Sequence, residues 1–284
     1  MIQSFRRLKE RLKSVDNTRK ITRAMQLISA AKLSKAKGSF LASKPYFSQI
    51  ERVLYNFLSD AEYAAHPLIG ARKEKKAIAI MVVASDTGLC SAYNNSIINL
   101  AGEFANKFGR EKVRIVAVGK EAFSYFRKES YAVENSYLGL RGKFSDALAA
   151  DITNYLIDMY VNHRSDEVYI AYTHFSSNLR HKPVVEKFLS IEYEPEKKKY
   201  YILEPEREVI LNDLVSKYLL AKVRMVLLDS LTAEHSARML AMKIATDNAD
   251  ELIETLTLQK NKARQAAITK EVLEIAMSAE ALKD

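Results

Sequence analysis

The sequence has no tryptophan, a single cysteine (Cys90), five prolines and eight glycines in 284 residues. One cysteine excludes an internal disulfide and suits a reducing compartment. The longest apolar run, Ala77–Ala84, falls far short of the ~20 residues a membrane-crossing helix needs. The opening, Met1 to Lys13, is charged throughout and lacks the apolar stretch of a secretory signal. The most consequential absence lies at the other end. Between Glu206 and Asp284, 79 residues pass without one glycine or proline. Nothing there breaks a helix, and an unbroken helix of that length measures ~118 Å. Globular helices are far shorter, so this one must be a coiled coil, a shaft or an arm.

What is present in that stretch is a seam. Leu214, Tyr218, Ala221, Met225, Leu228, Thr232, His235, Met239, Met242, Thr246, Ala249, Ile253 and Leu256 follow one another at alternating spacings of four and three. That is a heptad stripe, and it calls for a partner helix. The next seam position is Lys260, beyond which small residues (Ala263, Ala266, Ala267) take over.

The net charge of +9 is localised. Residues 1–44 hold 12 Lys/Arg against Glu10 and Asp16, whereas the other 240 residues hold 32 bases and 33 acids. A basic segment of this kind can meet phosphates, anionic lipid or an acidic protein surface. It reads as a helix, with Phe5, Leu8, Leu12 and Val15 on one face and a second set, Ile21, Met25 and Ile28, displaced by a stutter. Pro45 is placed to kink it, yet Phe47, Ile50, Leu54, Phe57 and Leu58 continue the pattern. This helix is the natural antiparallel partner of the C-terminal one. With the two matched at one end, the C-terminal helix overhangs from about Leu258, close to where the seam fails.

The middle is of another kind. Lys76–Ser85, Val113–Val118 and Glu167–Thr173 read as buried strands, and Val184–Tyr193 as an edge strand. Helical stretches around Asn95–Phe108, Lys120–Lys128 and Phe144–His163 separate them. Alternating strand and helix implies a mostly parallel sheet with helices on its faces. The fold expected is therefore α/β: a long antiparallel coiled coil of the terminal helices (1–60 and 206–284) with an inserted Rossmann-like domain (70–205).

Chemistry is sparse. Ser85–Asn94 follows the first strand, where such folds bind ligands, but it holds one glycine, Gly88, and a phosphate loop needs several. A turn capped by Asp86 or Ser91 is the expectation. Cys90 has no basic or histidine neighbour in sequence to lower its pKa and reads as a small buried residue. The five histidines, His66, His163, His174, His181 and His235, show no metal-ligand spacing. Asp16, Glu234 and Asp247 read as solvated helix positions, and His235 as a polar residue on the seam. No catalytic, cofactor-binding or metal-binding residue is expected.

Four motifs carry a family resemblance. Arg11–Met25 (Arg-x-Lys-Ser-Val-x-Asn-Thr-x-Lys-Ile-Thr-x-Ala-Met), Ser85–Asn94, Glu234–Ala249 (Glu-x-x-Ala-Arg-Met-x-Ala-Met-x-x-Ala-Thr-x-Asn-Ala) and Asn261–Glu271 stand in that order. Together they resemble the gamma-subunit family of F-type rotary ATP synthases from end to end. Thr87 departs from that family's usual Arg or Lys, and Ser91 and Ser278 from its usual Gly. The cysteine-bearing insertion of chloroplast relatives is absent, so thiol control is not implied.

The resemblance implies a non-catalytic rotary shaft. Its partners would be a hexamer of alternating alpha and beta subunits, the epsilon subunit and a membrane c-ring. It would sit at the cytoplasmic face of the cell membrane and touch the membrane only through that ring, as a bacterial-type chain without a transit peptide. It also implies partner contacts at Met25, Arg238, Arg264, Gln265, Thr269 and Glu271, and at Glu204 and Pro205 near the foot. Two readings compete from the residues alone. One is a basic coiled coil that binds nucleic acid or anionic membrane, and against the nucleic-acid form the aromatics lie mostly outside the basic stretch. A Rossmann-like enzyme is disfavoured by the single-glycine loop.

Overall fold

The computed structural model describes residues 2–58, 66–70, 72, 77–178, 180–192 and 206–281. Among them run α1 (Ile2–Leu58), β1 (Ile78–Val83), α2 (Tyr93–Asn106), β2 (Val113–Val118), α3 (Lys120–Lys128), β3 (Ala132–Tyr137), α4 (Asp146–Val161), β4 (Glu167–Ser177), β5 (Arg180–Leu189) and α5 (Arg207–Ala281). The chain forms two compact units: Met1–Ile28 with Met239–Asp284, and Ser29–Arg238. The division runs through both long helices rather than around them.

In the larger unit, five strands form one sheet in the order β3-β2-β1-β4-β5. β1, β2, β3 and β4 are parallel, and β5 closes one edge antiparallel to β4. The central strands are buried on both faces, which explains their near-continuous apolar sequence. Alternate residues divide between two cores. Ile78, Ile80 and Val82 of β1 pack with Ile97, Ala101 and Phe126 of α2 and α3. Ala79, Met81 and Val83 face Ile152 and Leu156 of α4, together with Leu54 and Leu58 of α1 and Val215, Leu219 and Val223 of α5. The long helices are thus part of the second core. Phe47 of α1 stacks on Tyr218 of α5, ring centroids 6.0 Å apart.

All thirteen seam positions read on α5 are buried or half-buried. α1 corrects the reading. There is no stutter: Phe5, Leu8, Leu12, Val15, Arg19, Thr22, Gln26, Ser29, Leu33, Ala36, Phe40, Ser43, Phe47, Ile50, Leu54 and Phe57 hold the heptad spacing, and all are at least half-buried. Ile21 and Ile28 are exposed instead. Small and polar residues carry the seam there, which is why apolarity alone misplaced it. Pro45 lies inside α1 and does not end it.

In the smaller unit the two helices run antiparallel. The hydroxyls of Thr22 and Thr246 meet at 2.8 Å, and Arg19 donates to Asp250 at 3.1 Å. Leu256 is the last fully buried residue of α5, but half-burial recurs at Lys260, Ala263 and Ala267. Every residue from Ile268 to Ser278 is exposed, so the unpartnered stretch begins about ten residues later than the seam suggested.

Candidate functional site

The place to look for a ligand is the carboxyl end of the sheet between β1 and β4, where the strand order reverses. Along that end of the sheet the chain binds itself, Asp86 reaching the segments after β2 and β3 and α5 reaching β4. Asp86, directly after β1, accepts backbone N–H groups from Lys120 (3.1 Å) and Gly139 (3.1 Å) on Oδ1 and from Arg141 (2.7 Å) on Oδ2. An N–H at the start of a helix, joined by loop amides, is the arrangement that elsewhere holds a phosphate. In this protein a carboxylate of the chain fills it. Neither Asp86 nor Ser91 caps α2, whose N-cap position is Ala92 with no side-chain bond. Asp86 serves α3 and the β3–α4 loop, elements 34 to 55 positions away.

The rest of the loop is closed on itself. Asn94 accepts the Ser85 amide on Oδ1 at 3.0 Å and donates from Nδ2 to Ser85 Oγ (2.8 Å) and Cys90 Sγ (3.2 Å). Leu89 and Ser91 adopt positive φ, 60° and 54°. Cys90 is buried as expected. Burial pushes its thiol pKa up, and Arg238 opposes that shift. The basic neighbour missing from the local sequence comes from α5.

One turn after another of α5 seals the crevice. Asp229 accepts the Phe175 amide at 2.8 Å and meets His174 Nδ1 at 2.6 Å. Burial raises its carboxyl pKa against those two bonds. The Tyr93 hydroxyl lies 2.8 Å from Ser230 Oγ. Ser236 donates to the Asn178 carbonyl at 3.1 Å. His235 Nε2 donates to the Gly142 carbonyl at 3.2 Å, and burial lowers the imidazole pKa to about 4. Arg238 donates to Glu234 at 2.6 Å, to the Thr87 carbonyl at 2.9 Å and to the Gly88 carbonyl at 3.3 Å. Glu234 and Arg238 are each 6% exposed. Glu234 is therefore not the solvated residue the sequence suggested, and burial raises its carboxyl pKa against the pull of Arg238. No group of three or more His, Cys, Asp or Glu side chains suited to a metal occurs among the described residues.

The last helix and the loops after β1 and β3 thus meet over the carboxyl end of the sheet. The family model for ATP synthase matches residues 4–282. The ATP synthase gamma chain of Moorella thermoacetica is 39% identical over 281 residues, covering 98% of this chain and 99% of the relative. That of Fusobacterium nucleatum is 36% identical over 279 residues, with the same coverage.

The chain belongs to the ATP synthase gamma-chain family.

Solved structures agree on the fold. A chain of the Euglena gracilis mitochondrial ATP synthase superposes with a TM-score of 0.71 at 16% identity, covering 99% of this chain and 95% of that one. The central stalk and c-ring structure of the Tetrahymena thermophila mitochondrial enzyme gives 0.64 at 20% identity, over 79% of this chain and 99% of that one.

The residues singled out as partner contacts in this gamma-family chain fall in three settings. Met25 is half-buried on α1, while Arg264, Gln265, Thr269 and Glu271 are exposed on α5. Arg238 is interior, its guanidinium committed to Glu234 and the Thr87–Gly88 carbonyls. Glu204 and Pro205 lie outside the described residues. The loop-sealing residues Asp229, Ser230 and Tyr93 went unread. The available signal was Asp229 itself, a charge directly after the apolar run Met225–Leu228.

Proposed function

We propose that this chain is the non-catalytic central shaft of a rotary ATP synthase. It turns inside a hexamer of alpha and beta subunits and transmits rotation of a membrane c-ring to nucleotide sites on beta. No helix among the described residues is long and apolar enough to cross a membrane, in keeping with attachment through the ring, and through epsilon, at the cytoplasmic face. The observation that carries the reading is the sealed sheet end: a helix and a carboxylate of the chain fill the positions a nucleotide would need, which leaves the domain a fastening role.

The exposed end of α5 supports the reading from another side. Ile268, Val272, Leu273, Ile275 and Met277 are each more than half exposed. A contiguous apolar surface of this kind marks a place where another protein fits. Arg264, Gln265, Thr269 and Glu271 sit among these residues as polar contact points, with Met25 as a further contact on α1. Beside small side chains such as Ala263 and Ala267, few directional bonds would resist turning.

The test is reconstitution. Alpha and beta subunits with this chain should form a complex whose ATP hydrolysis rotates a probe fixed to an exposed position such as Lys112. The chain alone should show no saturable ATP binding by calorimetry. Micromolar ATP binding to the isolated chain, or a complex that assembles without it and turns over unchanged, rules the reading out.

A further inference from the structure

Among the described residues expected to be contacts, Arg238 is the one buried in the interior, and its surroundings assign it a different task. Its guanidinium is spent on three partners. Nη1 bonds Glu234 one turn earlier on α5, Nη2 bonds the Thr87 carbonyl and hydroxyl (2.9 and 3.2 Å), and Nε reaches the Gly88 carbonyl at 3.3 Å. A planar fork with fixed donors suits this arrangement, and a lysine could not reproduce it. The Glu-to-Arg order at i, i+4 is the favourable one on a helix. A buried guanidinium needs a counter-charge, and Glu234 supplies it.

The loop it holds has little else at its tip. Ser85, Asp86, Cys90 and Asn94 are bonded to one another or to the sheet end. The Thr87 carbonyl also accepts the Ser85 hydroxyl at 2.6 Å within the loop, and from outside the loop it is Arg238 that holds Thr87 and Gly88. Immediately beyond them Leu89 stands at positive φ and is 61% exposed. An exposed apolar residue in the left-handed region stays there only if its surroundings fix the backbone.

We propose that Arg238 is a positioning residue: paired with Glu234, it fastens the Thr87–Leu89 loop to α5 so that loop and helix move as one rigid piece. This rests on the shaft reading for its consequence, since a loop that slackened during rotation would lose part of each angular step. The fastening itself does not rest on that reading.

Cys90 gives a built-in probe, because it is the sole cysteine and sits buried in the same loop. In the full-length chain with unchanged helix content, Arg238→Ala should raise the rate of Cys90 labelling by a maleimide about tenfold or more, through local opening. Arg238→Lys should fall between the two. The charge-swapped double variant Glu234→Arg with Arg238→Glu keeps opposite charges on the helix but sets a carboxylate against two carbonyls. It should label as fast as Arg238→Ala.

If Arg238 only neutralises a buried charge, the swap will restore protection, and the proposal is wrong. A labelling rate unchanged in Arg238→Ala overturns it equally. Should Arg238→Ala fail to fold, Arg238→Lys decides alone: wild-type protection of Cys90 in that variant ends the proposal. In the assembled enzyme, Arg238→Lys should lower the ratio of ions moved to ATP hydrolysed. A lowered ratio without faster Cys90 labelling would also count against the fastening. Faster labelling with an unchanged ratio keeps the fastening but removes its role in transmission.

Discussion

At the scale of single residues, the sealed crevice depends on close fits that tolerate little. Gly142 has φ +67°, and a Cβ there would lie 2.5 Å from His235 Cε1. Gly142→Ala should therefore cost about 2 kcal/mol or more in chemical denaturation, from strain and overpacking together. A loss below half that would mean the loop simply shifts. His235 makes a second prediction. Burial holds its folded pKa near 4, against an unfolded value of about 6.5. The unfolded chain binds the proton first, so this residue's stabilisation is complete above about pH 6.5 and is lost as pH falls toward 4. The full span corresponds to roughly 3 kcal/mol. His66 and His181, whose pKa values burial also lowers, add in the same direction. Replacing His235 with Gln should flatten the fall in stability between pH 7 and pH 4.5. An identical slope in the variant would remove His235 from the account.

At the scale of elements, the two long helices differ in how openly the sequence declares them. The α5 seam is carried mostly by Leu, Met, Ile and Tyr, with Ala, Thr and His between them, and was legible from Leu214 to Leu256 but not in the half-buried turns beyond. The α1 seam passes through Arg19, Thr22, Gln26 and Ser29, where hydropathy gives no sign, and the exposed Ile21 and Ile28 drew the reading one position aside. β2 and α3 are legible with their observed bounds, β2 as a nearly continuous buried apolar run and α3 as an amphipathic turn-bounded segment that buries Ala122 and Phe126. β3 escaped notice: Ala132–Tyr137 carries Glu134, Asn135 and Ser136, as an edge strand that is mostly half-buried can. The sheet-end site was only half legible. Local sequence placed the loop correctly, but the partners of Asp86 and Arg238 lie up to 151 positions away, beyond any short-range pattern. The C-terminal turns of α5 support a prediction of their own. With every residue from Ile268 to Ser278 exposed, helicity there rests on local propensity. Amide exchange in the free chain should be fast from about Ile268 onward and slow at Met242–Leu256, with protection of the tip appearing on assembly. Uniform protection in the free chain would mean the tip needs no partner.

At the scale of the whole molecule, charge is the property to test. Arg6, Lys9 and Lys13 are exposed on the basic segment, and Arg6 already spans to Glu10 at 3.4 Å. Exposed pairs are worth only about 0–1 kcal/mol each, so one reversal should pass unnoticed. Changing all three to Glu should weaken assembly with the hexamer and make it respond oppositely to salt, while circular dichroism stays the same. Undiminished assembly of the triple variant at low salt would show that these charges meet no acidic surface.

The sealing of the sheet by α5 also sets a timetable for biosynthesis. Asp229 leaves the ribosome 52 positions after Ser177, the last residue of β4. At translation rates of ~5–20 residues per second, that delay lasts about 3–10 s. By the end of this interval every strand has been made, β5 finishing at Leu189, yet the end of the sheet is still open and most of the α1 seam has no mate. A nascent chain of this design is born needing shelter, because its sheet end stays open until α5 arrives with Asp229.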